Sequence, residues 1–309
     1  MEKIAKQNNK ILLAVSGGPD SVFLCHYIKE RFDAKNVIVA TVDHSVRENS
    51  HRDVEIVKRV CEKYNFELKI CKLDPVIAQS WSSGFEEKAR EARYKFFKEI
   101  YDKEKCEALY LGHHKDDFIE TVIMQKKSKR EPLFYGIKPS TVLLGMNIIR
   151  PFIDKYFKNE ILKLCSKLKL EYAIDETNSN DCYQRNVIRK KLLNKSVEEK
   201  NRFINQINLE NEILLEKEKK VNLLYEQWKN NNFNLTWIKN LDKSNDFLLP
   251  YLVSKMIFTQ TNEKINLNKD KLLNIISWIK SNKNNKTFLL KDNIKMVKQN
   301  KEISFLINK

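Results

Sequence analysis

The stretch Lys10-Ile11-Leu12-Leu13-Ala14-Val15-Ser16-Gly17-Gly18-Pro19-Asp20-Ser21 sets a short apolar run against a small polar turn, and Ser21 to Arg31 continues with helical spacing. Lys10 to Val15 therefore reads as a buried strand that feeds a helix. At such a junction, backbone N–H groups and the helix dipole make an anion site. Gly17 and Gly18 let the backbone approach phosphate oxygens closely, and Ser16 and Ser21 add hydroxyl donors. The turn is not a Walker A loop, because that pattern needs a lysine absent here. Asp20 is informative instead: a carboxylate beside phosphates makes sense if it holds a cation such as Mg²⁺. The bland alternative is a tight turn with an N-cap.

Working outward, Val37 to Val42 is a second β-run ending at Asp43-His44, and Asp53 to Asn65 has helical spacing. Short strands follow at Glu67 to Cys71 and Ala108 to Leu111, separated by a helix over Phe85 to Asp102. Strand and helix alternate, which predicts an α/β fold with a parallel sheet flanked by helices on both faces. Ligands of such sheets bind beyond the C-terminal strand ends, where the strand order reverses. Ser16 to Ser21, Asp43-His44 and His113 to Asp117 each follow a strand end, so one site is expected to gather them.

Two further clusters carry chemistry. In Gly112-His113-His114-Lys115-Asp116-Asp117-Phe118-Ile119-Glu120-Thr121, a histidine pair and adjacent carboxylates suit cation binding and proton transfer. Once a helix begins near Asp116, Asp117 and Thr121 share one face with Glu120 beside them. One of the two aspartates is expected simply to cap that helix. The second cluster is Asp175-Glu176-Thr177-Asn178 followed by Arg185-Asn186-Val187-Ile188-Arg189. Arginines four apart make a fork for phosphate, or else a solvated basic helix face.

The 309 residues are 42% hydrophobic and 32% charged, enough apolar mass for a large α/β domain and a smaller one, and too much for a disordered chain. Lys and Arg total 57 against 41 acidic residues, a net charge of +16. That excess favours a polyanionic partner, nucleic acid first, although AT-biased codons that inflate Lys, Asn and Ile would also produce it. The six cysteines form no CxxC pair, so each is expected to pack as a small apolar side chain. Apolar runs are far too short for a bilayer span and the first residues do not read as a secretory signal, so a cytoplasmic protein without membrane contact is expected.

All six glycines lie at or before Gly145 and all five histidines at or before His114, which places the chemistry early in the chain. Val197 to Lys229 reads as one long helix with Ile207, Leu214, Val221 and Trp228 spaced by seven. It is expected to pack on a neighbour. A coiled-coil dimer is the second option, weakened by polar Asn211 and Glu218; a monomer or a homodimer both remain compatible. Helices over Leu248 to Phe258 and Lys269 to Trp278, with short strands between Thr287 and Leu306, complete a small, mainly α domain. The expected division is a catalytic domain over 1–195, a connecting helix over 196–230 and a small C-terminal domain over 231–309 that binds the anionic partner. Residues 196–309 carry 20 bases and 13 acids, a net of +7, suited to an anionic partner.

SGGPDS after a strand resembles the SGGxDS pyrophosphate loop of the N-type ATP pyrophosphatases, which cleave ATP to AMP and pyrophosphate while adenylating a substrate oxygen. His113 to Thr121 is similar to the HHxDDxxET motif of the tRNA(Ile)-lysidine synthetases. Asp175 to Asn178 with Arg185 to Arg189 resembles their D-x-[ST]-N…RN-x-[IL]-R signature. Val42-Asp43-His44, Arg47, Arg90 to Tyr94 and Arg150-Pro151-Phe152 are supporting matches, so the likeness covers roughly residues 10 to 190. Two departures stand out: Phe118 replaces a polar residue, and Gln125 to Tyr135 lacks the family's glycine-containing arginine loop. The chain is similar to shorter members with one C-terminal domain.

The resemblance implies a ligase that uses ATP and Mg²⁺ to join free L-lysine to C2 of the wobble cytidine of tRNA(Ile) with a CAU anticodon. It proceeds through an adenylated cytidine and changes codon reading from AUG to AUA. It implies that Ser16, Gly17, Gly18, Pro19, Asp20, Ser21, Asp43 and His44 bind ATP. Asp20 and Asp117 would hold the metal. Asp20, His114, Asp117, Arg185 and Arg189 would carry catalysis. A tRNA thiolase of the same superfamily remains an alternative, although of the cysteines only Cys182 falls within the clusters.

Overall fold

The computed structural model describes residues 9–43, 50–72, 85–128, 131–173, 184–261, 265, 267–281, 287–291 and 293–307. The chain divides into two compact units, Met1–Asn208 and Leu209–Lys309.

In the first unit, strand β1 (Ile11–Ala14) leads into helix α1 (Pro19–Lys29), and β2 (Val37–Asp43) into α2 (Ser50–Tyr64). Then β3 (Glu67–Lys72), α3 (Phe85–Lys103), β4 (Ala108–Tyr110) and α4 (Lys115–Lys127) follow. A hairpin, β5 (Ser140–Leu143) and β6 (Met146–Ile149), precedes α5 (Lys158–Lys167) and α6 (Gln184–Leu193). The sheet runs β3-β2-β1-β4-β6-β5. All neighbours pair in parallel except the edge strand β5, which is antiparallel to β6.

Alternation along β1 explains the two faces. Leu13 joins Phe23, Leu24, Ile28, Val39 and Val57 on one side. Leu12 meets Ile38, Tyr94, Phe97, Leu109 and Ile148 on the other. Both sides of every central strand are buried, as parallel sheets require. A third cluster, with Phe118, Ile119, Val122, Phe157, Ile188 and Ile207, packs around α4 and α6.

The first helix begins at Pro19, two residues ahead of the expected Ser21. Proline is favoured at the first helical position because its missing N–H would have no partner there. Asp20 is thus helical and lies at the dipole's positive end. The hairpin β5–β6, α5 and α6 go beyond the elements that periodicity indicates. Its tight turn is Leu144-Gly145, with φ of +52° and +74°, the geometry of a two-residue hairpin that Asn-Gly or Asp-Gly usually signals.

The long helix α7 (Val197–Asn230) carries the boundary between the units. Of its heptad positions, Ile207, Val221 and Trp228 are fully buried, whereas Leu214 is only half-buried, and polar Asn211 is itself buried. The second unit continues through α8 (Leu235–Lys239), α9 (Leu249–Thr261) and α10 (Lys269–Lys280). It ends in an antiparallel meander, β7 (Thr287–Lys291), β8 (Ile294–Gln299) and β9 (Glu302–Ile307). Trp228 meets Phe233 edge-on at 5.3 Å and stacks on Trp237 at 6.3 Å, while its indole N–H donates to the Asn234 carbonyl.

Candidate active site

Strand order reverses at β1, which has β2 on one side and β4 on the other. The C-terminal ends of β1 and β4 therefore flank the point where open α/β sheets bind ligands. Gly17 turns the chain there at φ +84°, and a Cβ on it would lie 2.9 Å from the Asp53 carbonyl oxygen. At the exit of β4, a Cβ on Gly112 would lie 2.9 Å from the Asp20 carbonyl oxygen. Two glycines thus let the loop, α2 and the β4 exit approach one another. Ser21 Oγ donates to the Gly18 carbonyl at 2.9 Å and accepts from the Ser16 N–H at 3.2 Å, fixing the loop's curvature.

His114, Asp117 and Asp20 converge. His114 Nε2 is 3.7 Å from Asp20 Oδ1 and 3.5 Å from Asp117 Oδ2. Asp117 Oδ2 accepts from the His114 N–H at 3.0 Å, so this aspartate caps α4. Asp116 does different work: it accepts the Lys158 N–H at 2.7 Å on one oxygen and the Lys200 ammonium at 2.7 Å on the other. It is buried and fully engaged in joining α4, α5 and α7. Asp20 Oδ2 accepts from Lys158 Nζ at 2.6 Å, while Oδ1 is buried with no hydrogen-bond partner among the described residues.

On α6, Arg189 donates through Nε to Glu120 Oε1 at 2.8 Å and places Nη2 3.9 Å from Asp117 Oδ1. Arg185 Nε lies 3.4 Å from Glu120 Oε2. The expected arginine fork therefore flanks a buried glutamate. Burial pushes the Glu120 carboxyl above its ordinary range, with Asp117 adding and the arginines opposing. Burial also opposes ionisation of Asp117, but His114, His113, the His114 N–H and Arg189 together hold its carboxyl below the ordinary range.

Asp43 ends β2, buried and with a bonded or charged partner, so it flanks the loop from the next strand. His44, Arg47, Asp175 to Asn178 and Cys182 lie outside the described residues. Cys165 is buried with Sγ 3.6 Å from the Pro19 carbonyl, and its thiol is pushed up to about 11, chiefly by burial. It stays protonated at neutral pH, so it is a poor nucleophile beside the loop. The two departures from the family pattern share one apolar cluster, in which Phe118 packs with Phe134 and Tyr135, and a Cβ on the next residue, Gly136, would fall 2.3 Å from the Phe118 ring. Gln125 clasps the same segment by accepting the Gly136 N–H at 2.7 Å. Sequence reasoning missed Lys158 and Lys200, which no local pattern marks because they reach the site from distant elements.

His113 supplies a pH signature. Burial drives its imidazole down to about 4 from 6.5, with Arg150, Arg90 and His114 adding and Asp117 opposing. Between those values the unfolded chain binds more protons than the folded one, so stability is complete above pH 6.5 and falls as pH drops toward 4. The urea midpoint is expected to fall between pH 7 and pH 5, and to fall less in His113→Asn. Equal midpoint shifts in the two proteins would remove His113 as the source.

A family model described as a PP-loop domain matches residues 1–196. A tRNA(Ile)-lysidine synthase of Mycoplasmopsis pulmonis is 39% identical over 296 residues, covering 96% of this chain and 99% of its own. That of Mesomycoplasma hyopneumoniae is 34% identical, covering 95% of each chain. That of Ureaplasma parvum is 33% identical, covering 97% of this chain and 88% of its own. Among solved structures, the U34-tRNA thiolase NcsA from Methanococcus maripaludis with its [4Fe-4S] cluster matches with a TM-score of 0.53 at 20% identity. That likeness covers 69% of this chain and 74% of the thiolase, and it is one of fold.

Proposed function

The chain belongs to the PP-loop family and, within it, to the tRNA(Ile)-lysidine synthases; from that premise we propose that it ligates free L-lysine to C2 of the wobble cytidine of tRNA(Ile), at the expense of ATP. The observation that carries the reading is the convergence of an anion-binding loop, Asp20, His114, Asp117 and the Arg189–Glu120 pair at one strand-order switch point.

The chemistry has two steps. Cytidine O2 attacks the α-phosphorus of ATP and pyrophosphate leaves. The lysine ε-amine then attacks C2, loses a proton, and AMP departs with the former O2. Adenylation is needed because a cytosine carbonyl oxygen is a poor leaving group and a phosphate ester is a good one. The amides of Gly17 and Gly18 and the start of α1 would face the leaving pyrophosphate. Arg189 brings a planar donor set to the adenylate, and Asp117, ionised well below neutral pH, accepts a proton or charge beside it.

Asp20 and Asp117 would hold Mg²⁺. The orphaned Asp20 Oδ1, sharing one imidazole with Asp117, fits an ion that takes one or two carboxylates and completes its shell with water and phosphate. When bound, the ion would neutralise phosphate charge. The second unit, with its net positive charge, would hold the tRNA body.

Incubating the protein with tRNA(Ile) bearing CAU, ATP and lysine, followed by mass spectrometry of the wobble nucleoside, tests this function. Lysidine, with one AMP and one pyrophosphate per modified tRNA, is the expected result. Unmodified cytidine in fully active, folded protein, or incorporation of sulfur from a donor, would overturn it. No helix among the described residues is long and apolar enough to cross a membrane.

A further inference from the structure

We propose that Lys158 is the side chain that receives the pyrophosphate portion of ATP, and that it holds Asp20 until the nucleotide arrives; this inference rests on the ATP reading above. The argument begins with charge. The loop Ser16 to Ser21 is shaped for an anion, yet its only formal charge is the negative one of Asp20. Backbone N–H groups and the α1 dipole supply roughly half a positive charge. A triphosphate brings more negative charge to the same carboxylate than one Mg²⁺ offsets, so a second full cation supplied by the fold favours its binding.

Lys158 provides one from 138 residues away, with Nζ 2.6 Å from Asp20 Oδ2. Its backbone is pinned while its head is partly open to solvent. The Lys158 N–H donates to Asp116 Oδ2, and the other Asp116 oxygen holds Lys200, both of those side chains being 9% exposed. The preceding residue, Phe157, is buried and its N–H is accepted by Glu160. The Lys158 side chain itself is 35% exposed and that of Asp20 is 29% exposed. An ion pair so open to water contributes little stability, typically about 0 to 1 kcal/mol, so exchange of a carboxylate for a phosphate is easy. Arg189, Arg185 and Lys200 also lie near, but Glu120 and Asp117 engage Arg189, Glu120 engages Arg185 and Asp116 engages Lys200. A compact ammonium on a flexible stem suits a phosphate oxygen as a point charge. The lysine that a Walker loop carries within its own sequence would here come from the start of α5.

The competing account is that Lys158 merely ties α5 to α1. Equilibrium binding separates the two, measured on the full chain with Mg²⁺ and without tRNA or lysine. ATP, inorganic pyrophosphate and AMP are titrated into the unaltered protein, Lys158→Met and Lys158→Arg. Because a hydrogen bond to a charged group is at stake, Lys158→Met is expected to weaken ATP and pyrophosphate by at least about tenfold. AMP should bind as before, and Lys158→Arg should recover most of the loss. Should the methionine variant not fold, Lys158→Gln takes its place in the same comparison. Unchanged ATP and pyrophosphate affinity in Lys158→Met overturns the proposal while leaving the ATP reading intact, and an equal loss of AMP overturns it as well. If the unaltered protein binds neither ATP nor pyrophosphate, the ATP reading fails and the proposal with it.

Discussion

Replacing Asp20 with alanine is expected to abolish detectable pyrophosphate release while leaving the protein folded. The residue is the second of α1, partly exposed, and adds nothing to the core on either face of the sheet. One of its oxygens is taken by Lys158 and the other is buried without a hydrogen-bond partner among the described residues, an arrangement that is unfavourable unless a ligand completes it. Losing a preorganised group that acts on developing phosphate charge typically costs about 10² to 10³ in rate. The Lys158 ammonium, freed of its carboxylate, should keep ground-state ATP affinity near that of the parent, so the loss should appear in kcat rather than KM. Pyrophosphate release with tRNA and lysine present, alongside circular dichroism, checks this. Parental turnover in Asp20→Ala would show that the loop is not the reacting site.

Asp117→Asn and Arg189→Lys should separate the two half-reactions. Asparagine can still accept the His114 N–H, so the start of α4 survives the change. It can neither carry charge nor take a proton. If Asp117 is purely the base for the incoming amine, adenylated tRNA accumulates and lysine incorporation lags, by about 10² or more. If it holds the metal, both steps fall together. Arg189 acts earlier: a lysine there keeps the charge but loses the planar donor pair that grips Glu120 and faces Asp117. Arg189→Lys should therefore depress adenylate formation nearly as much as Arg189→Ala. Arg185→Lys should cost less, because its contact with Glu120 is longer at 3.4 Å. Rapid-quench measurement of tRNA-bound adenylate distinguishes these outcomes. Ordinary kinetics in both Asp117→Asn and Arg189→Lys would place the chemistry on other residues.

The site was legible wherever its geometry is local. A strand, two glycines and a helix start at Pro19 are consecutive in the chain, so the loop follows from backbone sterics and the dipole. The cluster His113 to Asp117 is likewise a strand exit followed by a helix cap. What local reasoning could not divide was labour within a cluster. Asp116 and Asp117 are neighbours of the same residue type, yet one is consumed by Lys158 and Lys200 while the other faces the site. The hairpin β5–β6 escaped because its turn is Leu144-Gly145, which lacks the Asn or Asp that marks such turns.

The alternation of strands and helices, the loop and the basic character of the chain follow from local sequence, because periodicity, glycine and charge act over a few residues or by simple sum. Which of the polar side chains meet is settled by the packing of distant segments. Lys158 reaches Asp20 across 138 residues, and Arg189 reaches Glu120 across 69. Contacts of that span depend on the order β3-β2-β1-β4-β6-β5, which sets β1 and β4 side by side. No short-range preference encodes such a meeting; burial of both sheet faces selects the strand order, and the charges come to face each other as its consequence.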